Sequence, residues 1–85
     1  MRFHITLTHT PETCQAAHGS GPTVADWGAQ AKATGIELVA GGQCPPQHEA
    51  FFFVETDDMS KIMDFLRPVL GYHQADITPV RAVTA

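Results

Sequence analysis

The sequence has few basic residues and no long apolar run. Five lysines and arginines stand against nine aspartates and glutamates, which gives a formal net charge of −4. A surface that binds nucleic acid or an anionic membrane needs clustered basic side chains, so we expect neither partner. No apolar run reaches the roughly 20 residues that span a bilayer, and the alternating start does not resemble a signal peptide. We therefore expect a cytoplasmic protein.

Cysteine is also scarce, occurring only as Cys14 and Cys44. In a cytoplasmic protein two cysteines are typical of thiols or metal ligands rather than of a structural disulfide, and a redox disulfide between them stays an alternative. The 85 residues predict one domain, residues 1–85, in which burial alone leaves the stability marginal. Small domains of this kind often gain stability from a metal or a partner subunit.

Hydrophobic periodicity predicts six elements in the order β-α-β-β-α-β. The predicted strands cover residues 2–9, 36–40, 48–55 and 74–83, and the predicted helices cover residues 24–34 and 58–67. A short helical turn is expected over 10–18, and a loop is expected over 41–47 because its two prolines remove hydrogen-bond donors. The first helix is expected to bury Val24, Trp27, Gly28 and Ala31, and the second Met59, Ile62, Met63 and Leu66.

This order of elements favours an α+β, ferredoxin-like sandwich, with four antiparallel strands in the order 4-1-3-2 and two helices on one face. Pro79 predicts that the last strand lies at an edge. Residues 50–54 are apolar on both sides of their strand, so neither face of that strand is expected to meet water. A second copy of the chain is the simplest cover for the open face, which predicts a symmetric homodimer. The alternative is that the phenylalanines at 51–53 border long loops.

Two segments carry a family resemblance. Residues 54–58 read Val-Glu-Thr-Asp-Asp and residues 76–80 read Asp-Ile-Thr-Pro-Val. They resemble segments of small bacterial domains of unknown function in the dimeric α+β barrel superfamily, which includes muconolactone isomerases and antibiotic-biosynthesis-type monooxygenases. The resemblance covers most of the chain and implies the ferredoxin-like fold and the homodimer. Both segments are structural, a helix cap and an edge strand, so no catalytic residue is implied.

Each cysteine is followed four residues later by a histidine, as Cys14 with His18 and Cys44 with His48. The predicted topology brings both pairs to one end of the sheet, together with His9 and His73. Two thiols and two imidazoles suit a tetrahedral transition metal, with zinc preferred over copper, nickel or iron. Our first hypothesis is therefore a metal-binding homodimer that acts as a sensor, a carrier or a structural site. His9 or His73 would complete the site or support its ligands.

Simpler interpretations of these residues stay open. Cys14 also suits a small buried position, His18 a cation at a helix end, and His48 an ordinary strand start. His9 and His73 also read as ordinary polar residues.

The second hypothesis is a cofactor-independent enzyme of the dimeric-barrel type, acting on a small apolar or aromatic ligand. Its cleft would be lined by His4, Trp27 and one of the phenylalanines at 51–53, with Phe52 preferred. Trp27 also reads as a core residue. A third hypothesis is an interaction module without a site. A metal site requires its ligands to converge on one centre, whereas catalysis on an organic ligand requires a cavity of about 300 Å³ or more.

Overall fold

One antiparallel sheet of four strands organises the computed structural model, which describes residues 1–10, 26–81 and 83. The strands are β1 (Arg2–Thr8), β2 (Glu37–Cys44), β3 (Glu49–Glu55) and β4 (Gln74–Val80). The described ranges also contain two α-helices, α1 (Trp27–Thr34) and α2 (Met59–Leu66), and short 3₁₀ turns at Pro45–Gln47 and Arg67–Val69. The order β2-β3-β1-β4 is the predicted order 4-1-3-2 read from the opposite edge. The ferredoxin-like α+β fold is therefore confirmed, with β4 at an edge as Pro79 predicted.

Alternation along β1 decides which face of the sheet is buried. Phe3, Ile5 and Leu7 are buried in the core, whereas the residues between them are half-buried on the other face. Successive side chains of a strand point to opposite faces, so one face receives all three apolar side chains. The register pairs Ile5 with Phe52 of β3, which places the core against the two central strands.

Helix α2 packs on this face with a different set of residues from the predicted one. Ile62, Phe65 and Leu66 are fully buried, whereas Met59 and Met63 are 50% and 42% exposed. The prediction that both methionines face inward was therefore wrong. The helix is turned so that the rigid ring of Phe65 meets the sheet, and the methionines lie at the solvent side of the buried stripe.

Helix α1 starts one residue after Asp26, whose side chain accepts a hydrogen bond of 3.1 Å from the backbone N–H of Ala29. Such an N-cap satisfies a donor that the first helical turn leaves unpaired. The helix ends at Gly35, whose φ of 77° suits glycine. Ala31 is buried but Gly28 is exposed, so the predicted buried stripe was wrong at Gly28. Val24 and most of the turn predicted over 10–18 lie outside the described residues.

Strand β2 is longer than predicted, because it continues through Gly41 and Gly42 to Cys44. The prediction of a loop from residue 41 was wrong, since the prolines enter only after the strand has ended and form a 3₁₀ turn. The register shifts between Leu38 and Ala40, which is typical of a β-bulge. Strand β4 ends at Val80, earlier than predicted.

The face of the sheet opposite the helices is open in the single chain. Phe51 is 37% exposed there, and Phe53 is half-buried beside His4, with ring centroids 4.9 Å apart. One copy of the chain therefore leaves this face of β3 in contact with water, and its covering by a second copy stays a prediction. Neither helix, within the part of the chain that the structure describes, has the length and apolar character needed to cross a membrane.

Candidate functional site

Among the described residues, three histidines meet at one end of the sheet. His9 follows β1, His48 precedes β3 and His73 precedes β4. Because β1 runs antiparallel to both neighbours, its last residue adjoins the starts of β3 and β4. The backbone N–H of His9 donates to the carbonyl oxygen of His48 at 3.1 Å. We call His9, His48 and His73 the histidine cluster.

The ring of His9 occupies the centre of the histidine cluster. Its Nε2 lies 3.1 Å from Nδ1 of His48. The ring centroid of His9 is 4.9 Å from that of His48 and 4.8 Å from that of His73, and both pairs meet edge to face. A hydrogen bond between two ring nitrogens requires one protonated and one bare nitrogen. The cluster is therefore held together by a shared proton between His9 and His48 and by packing between His9 and His73.

The environment of the histidine cluster disfavours positive charge on two of its rings. Burial lowers the pKa of His9 below its ordinary value, and the neighbouring His73 and His48 rings lower it further. Burial also lowers the pKa of His73, although the backbone of Val69 opposes this effect. Both shifts favour the neutral imidazole, which is the protonation state that binds a metal ion.

His73 also carries a buried nitrogen whose hydrogen bonding is incomplete. Its Nδ1 has no partner of good hydrogen-bond geometry among the residues described. Leaving a buried polar group unpaired costs about 1–3 kcal/mol, so such a group calls for an explanation. A ligand bound at this nitrogen would supply the missing partner.

His48 has an unusual backbone conformation at the same place. Its φ is 54°, in the left-handed region that costs most L-residues roughly 1–2 kcal/mol and in which histidine is somewhat enriched. The conformation turns the chain from the 3₁₀ turn into β3, so that the His48 carbonyl reaches His9. Strained backbone of this kind is often found at functional sites.

The structure brings together three of the six predicted metal ligands. Cys44 is a half-buried free thiol at the end of β2, and Cys14 and His18 lie outside the described residues. Within the described ranges, no group of three or more histidine, cysteine, aspartate or glutamate side chains is arranged to hold a metal ion. The histidine cluster is thus a close group of rings and not a preformed metal site.

The residues predicted to line an organic-ligand cleft are separated by the sheet. Trp27 packs against Phe52 and Phe65 on the helical face, with ring centroids 4.7 Å and 5.1 Å away. Phe52 is only 3% exposed. His4 lies on the open face beside Phe53. His4 therefore does not share a cleft with Trp27 and Phe52, and Trp27 belongs to the core.

A cavity of about 450 Å³ lies on the open face, at the end of the sheet away from the histidine cluster. Its lining includes Arg2, Val39, Ala40, Phe53, Val80 and Arg81. The sequence patterns did not predict this cavity. Strand alternation could have placed Arg2 and Phe53 on one face, but the contribution of Val39 and Ala40 depends on the bulge in β2, for which the sequence has no clear signal.

Comparisons with protein-family models, with curated proteins and with solved structures found no match for this chain. The structure supports the fold that the family resemblance implies, which is a small α+β domain with a ferredoxin-like strand order. Membership of the dimeric α+β barrel superfamily stays a prediction.

Proposed function

We propose that this protein is a cytoplasmic transition-metal-binding protein whose site is built on the histidine cluster, with zinc preferred over copper, nickel or iron. The observation that supports the proposal is the position of the His9 ring, in contact with the rings of both His48 and His73. Neutral imidazole is the commonest metal ligand in proteins, and the pKa values of His9 and His73 are lowered.

The distance between two of the nitrogens also supports the proposal. Two nitrogen ligands of a tetrahedral zinc ion lie about 3.3 Å apart, since each Zn–N bond is about 2.0–2.1 Å long. His9 Nε2 and His48 Nδ1 are separated by 3.1 Å. A metal ion would replace the proton that these two nitrogens share, and the proton would be released to solvent. Nδ1 of His73, which lacks a partner among the described residues, is available as the third ligand.

The remaining ligand is proposed from the sequence. Cys44 lies at the same end of the sheet, and Cys14 and His18 stay predictions because they lie outside the described residues. Since the described side chains form no ready ligand set, the three rings must turn for metal to bind. A site that assembles on binding favours a sensor or a carrier over a permanently occupied structural site.

Zinc titration of the reduced, metal-free protein tests the proposal. We expect one zinc ion per chain by calorimetry and elemental analysis. His9→Asn should weaken zinc binding at least roughly 100-fold, because even the loss of a residue that only orients a ligand costs about 10–100-fold. His4→Asn is the matched control, since His4 lies on the open face, and it should bind zinc as the wild type does.

Two results would contradict the metal proposal. The first is a wild-type protein that holds no stoichiometric metal after growth and titration with zinc, copper, nickel and iron in turn. The second is zinc binding that His9→Asn leaves unchanged while circular dichroism shows a native fold. Cys14→Ala and Cys44→Ala, titrated in parallel, identify which thiol belongs to the site.

We also infer that a second copy of the chain covers the open face. Phe51 is 37% exposed on that face, with its ring over Gly42 and 6.4 Å from that of His4. An exposed aromatic patch of this kind is typical of an interaction surface, and a symmetric pair of identical chains can bury the same patch twice. The family resemblance noted in the sequence implies the same dimer.

Sedimentation equilibrium tests the dimer. Phe51→Glu should weaken dimerisation by roughly 30-fold or more, which corresponds to the about 2 kcal/mol of a typical hot-spot side chain. Met63→Glu is the control, because Met63 is similarly exposed, at 42%, but lies on helix α2. A wild-type protein that is monomeric at high micromolar concentration would rule out the dimer.

One observation favours the second candidate function, a cofactor-independent enzyme acting on a small ligand. The cavity on the open face, at about 450 Å³, exceeds the about 300 Å³ that small-molecule sites require. Its charged lining residues are Arg2 and Arg81, and neither is a usual general acid or base. The cavity therefore supports ligand binding more directly than it supports catalysis.

A further inference from the structure

The cavity on the open face combines apolar walls with positive charge. Phe53, Val39 and Val80 contribute apolar surface, and the small side chain of Ala40 leaves space beside the Phe53 ring, with which it is paired in the sheet. Arg2 lies opposite Val80 in the register of β1 and β4. Arg81 follows directly after β4 and also lines the cavity, as does Val83.

The two arginines are unusual in a chain of net charge −4 that has only five lysines and arginines. Arg2 is held in place by an ion pair of 3.1 Å between its Nε and a Glu55 carboxylate oxygen. The other donors of its planar guanidinium are not used by that bond. Arg81 makes no hydrogen bond or ion pair with any of the residues that the structure describes. Arg67, in contrast, is paired with Asp64.

We propose that this cavity binds a small monocarboxylate with an apolar body. A guanidinium group and a carboxylate form two parallel hydrogen bonds, and charge-assisted bonds of this kind are among the strongest in proteins. Arg81 supplies the group that holds the carboxylate, Arg2 contributes the guanidinium donors that its bond to Glu55 leaves unused, and the apolar body lies along Phe53, Val39 and Val80. The volume of about 450 Å³ is within the range of small-molecule sites.

A carboxylate fits better than a phosphate ester because most of the lining is apolar. A doubly charged phosphate usually requires several donors, such as a row of backbone N–H groups or a helix N-terminus. The cavity is lined by apolar side chains and two arginines, which suit one planar anion on a hydrophobic body.

This inference does not depend on the proposed metal site. Arg2 and Thr8 are the two ends of β1, roughly 20 Å apart at about 3.3 Å per residue, and the histidine cluster lies beyond Thr8. His9→Asn should therefore bind the carboxylate as the wild type does, so that failure of one proposal is distinguishable from failure of the other.

Octanoate and 1-octanol are the probes, because they share an apolar chain and differ in charge. Titrated into ¹⁵N-labelled protein, octanoate should shift the amide resonances of Arg2, Ala40, Phe53 and Arg81 and bind at least about tenfold more tightly than octanol. Arg81→Gln should weaken octanoate binding roughly tenfold or more, as expected for the loss of a charge-assisted hydrogen bond, and should leave octanol binding unchanged. Arg67→Gln is the matched control and should change neither.

A second variant tests the volume of the cavity independently of its charge. Ala40→Leu fills the space beside Phe53 and should weaken both probes together. The proposal is overturned if octanol binds as tightly as octanoate, if Arg81→Gln binds octanoate as the wild type does, or if the shifted resonances lie at the histidine cluster. It is also overturned if octanoate fails to bind, whether sedimentation shows a monomer or a dimer.

Discussion

Replacing Phe65 by alanine is expected to lower the free energy of unfolding by about 3–5 kcal/mol, as for other buried phenylalanines. Phe65 is fully buried. Its ring centroid lies 5.1 Å from that of Trp27 and 5.7 Å from that of Phe52. Helix α1 and the sheet both rest on this ring, so neither is able to move in and fill the space that alanine would leave.

The expected loss is large compared with the total stability of so small a domain. At roughly 0.05–0.15 kcal/mol per residue, 85 residues correspond to about 4–13 kcal/mol of unfolding free energy. A loss of about 3–5 kcal/mol is therefore about a quarter or more of the total. Urea denaturation followed by Trp27 fluorescence measures the loss directly, because Trp27 contacts the substituted ring.

Met63→Ala is the control for Phe65→Ala, because Met63 is in the same helix and is 42% exposed. Its unfolding free energy should stay within about 0.5 kcal/mol of the wild-type value, as for most surface substitutions. Similar losses in the two variants would mean that helix α2 does not bury Phe65 and expose Met63.

The adjacent glycines of β2 are expected to respond very differently to alanine. A Cβ atom at Gly41 would lie 2.9 Å from Cδ1 of Phe52 and 3.0 Å from the carbonyl oxygen of Phe51. Phe52 is 3% exposed and is held by Trp27, so its ring is unable to move aside. Gly41→Ala should therefore lower the unfolding free energy by about 1–3 kcal/mol, the usual cost of overpacking a core.

At Gly42 the added Cβ atom would meet the other phenylalanine. Its nearest contact would be Cζ of Phe51 at 2.8 Å, but that ring is 37% exposed on the open face and is able to turn. Alanine also restricts the unfolded chain, which stabilises a protein by about 0.4–1 kcal/mol where the backbone conformation permits it. Gly42→Ala should thus be nearly neutral in the monomer.

Thermal and urea denaturation measure the unfolding free energies of the two alanine variants. The measurements are made at concentrations where the protein is monomeric. Equal losses at Gly41 and Gly42 would contradict the register, which pairs Gly41 with the buried Phe52 and Gly42 with the exposed Phe51. A one-residue shift in the pairing of β2 with β3 would exchange the two results, because it would move each side chain to the other face.

Much of the fold could be predicted from local patterns. The alternation of Phe3, Ile5 and Leu7 determines the buried face of β1 without reference to the rest of the chain. Asp26 and Asp58 both act as N-caps, although the start of α1 was predicted three residues too early. Pro79 lies in an edge strand, as a residue without an N–H donor should.

The rotation of α2 and the length of β2 could not be predicted in the same way. Met59 and Phe65 are both apolar, so periodicity alone does not decide which of them is buried. The choice depends on the shape of the space left by Trp27 and Phe52. Gly41 and Gly42 weaken a strand locally, yet both are kept in β2 because the two phenylalanines opposite need the room.

In the candidate site, too, some features follow from the sequence and others depend on packing. The order of strands was sufficient to predict that His9, His48 and His73 lie at one end of the sheet, because antiparallel neighbours bring their opposite ends together. The sequence alone therefore determined the fold class and the grouping of these histidines. Tertiary structure alone decided that His9 lies between the other two rings, that His48 has a left-handed backbone, and that the bulge in β2 borders a cavity with Arg81. Distances between side chains depend on how separate elements pack, and that information is not contained in the spacing of residues along the chain.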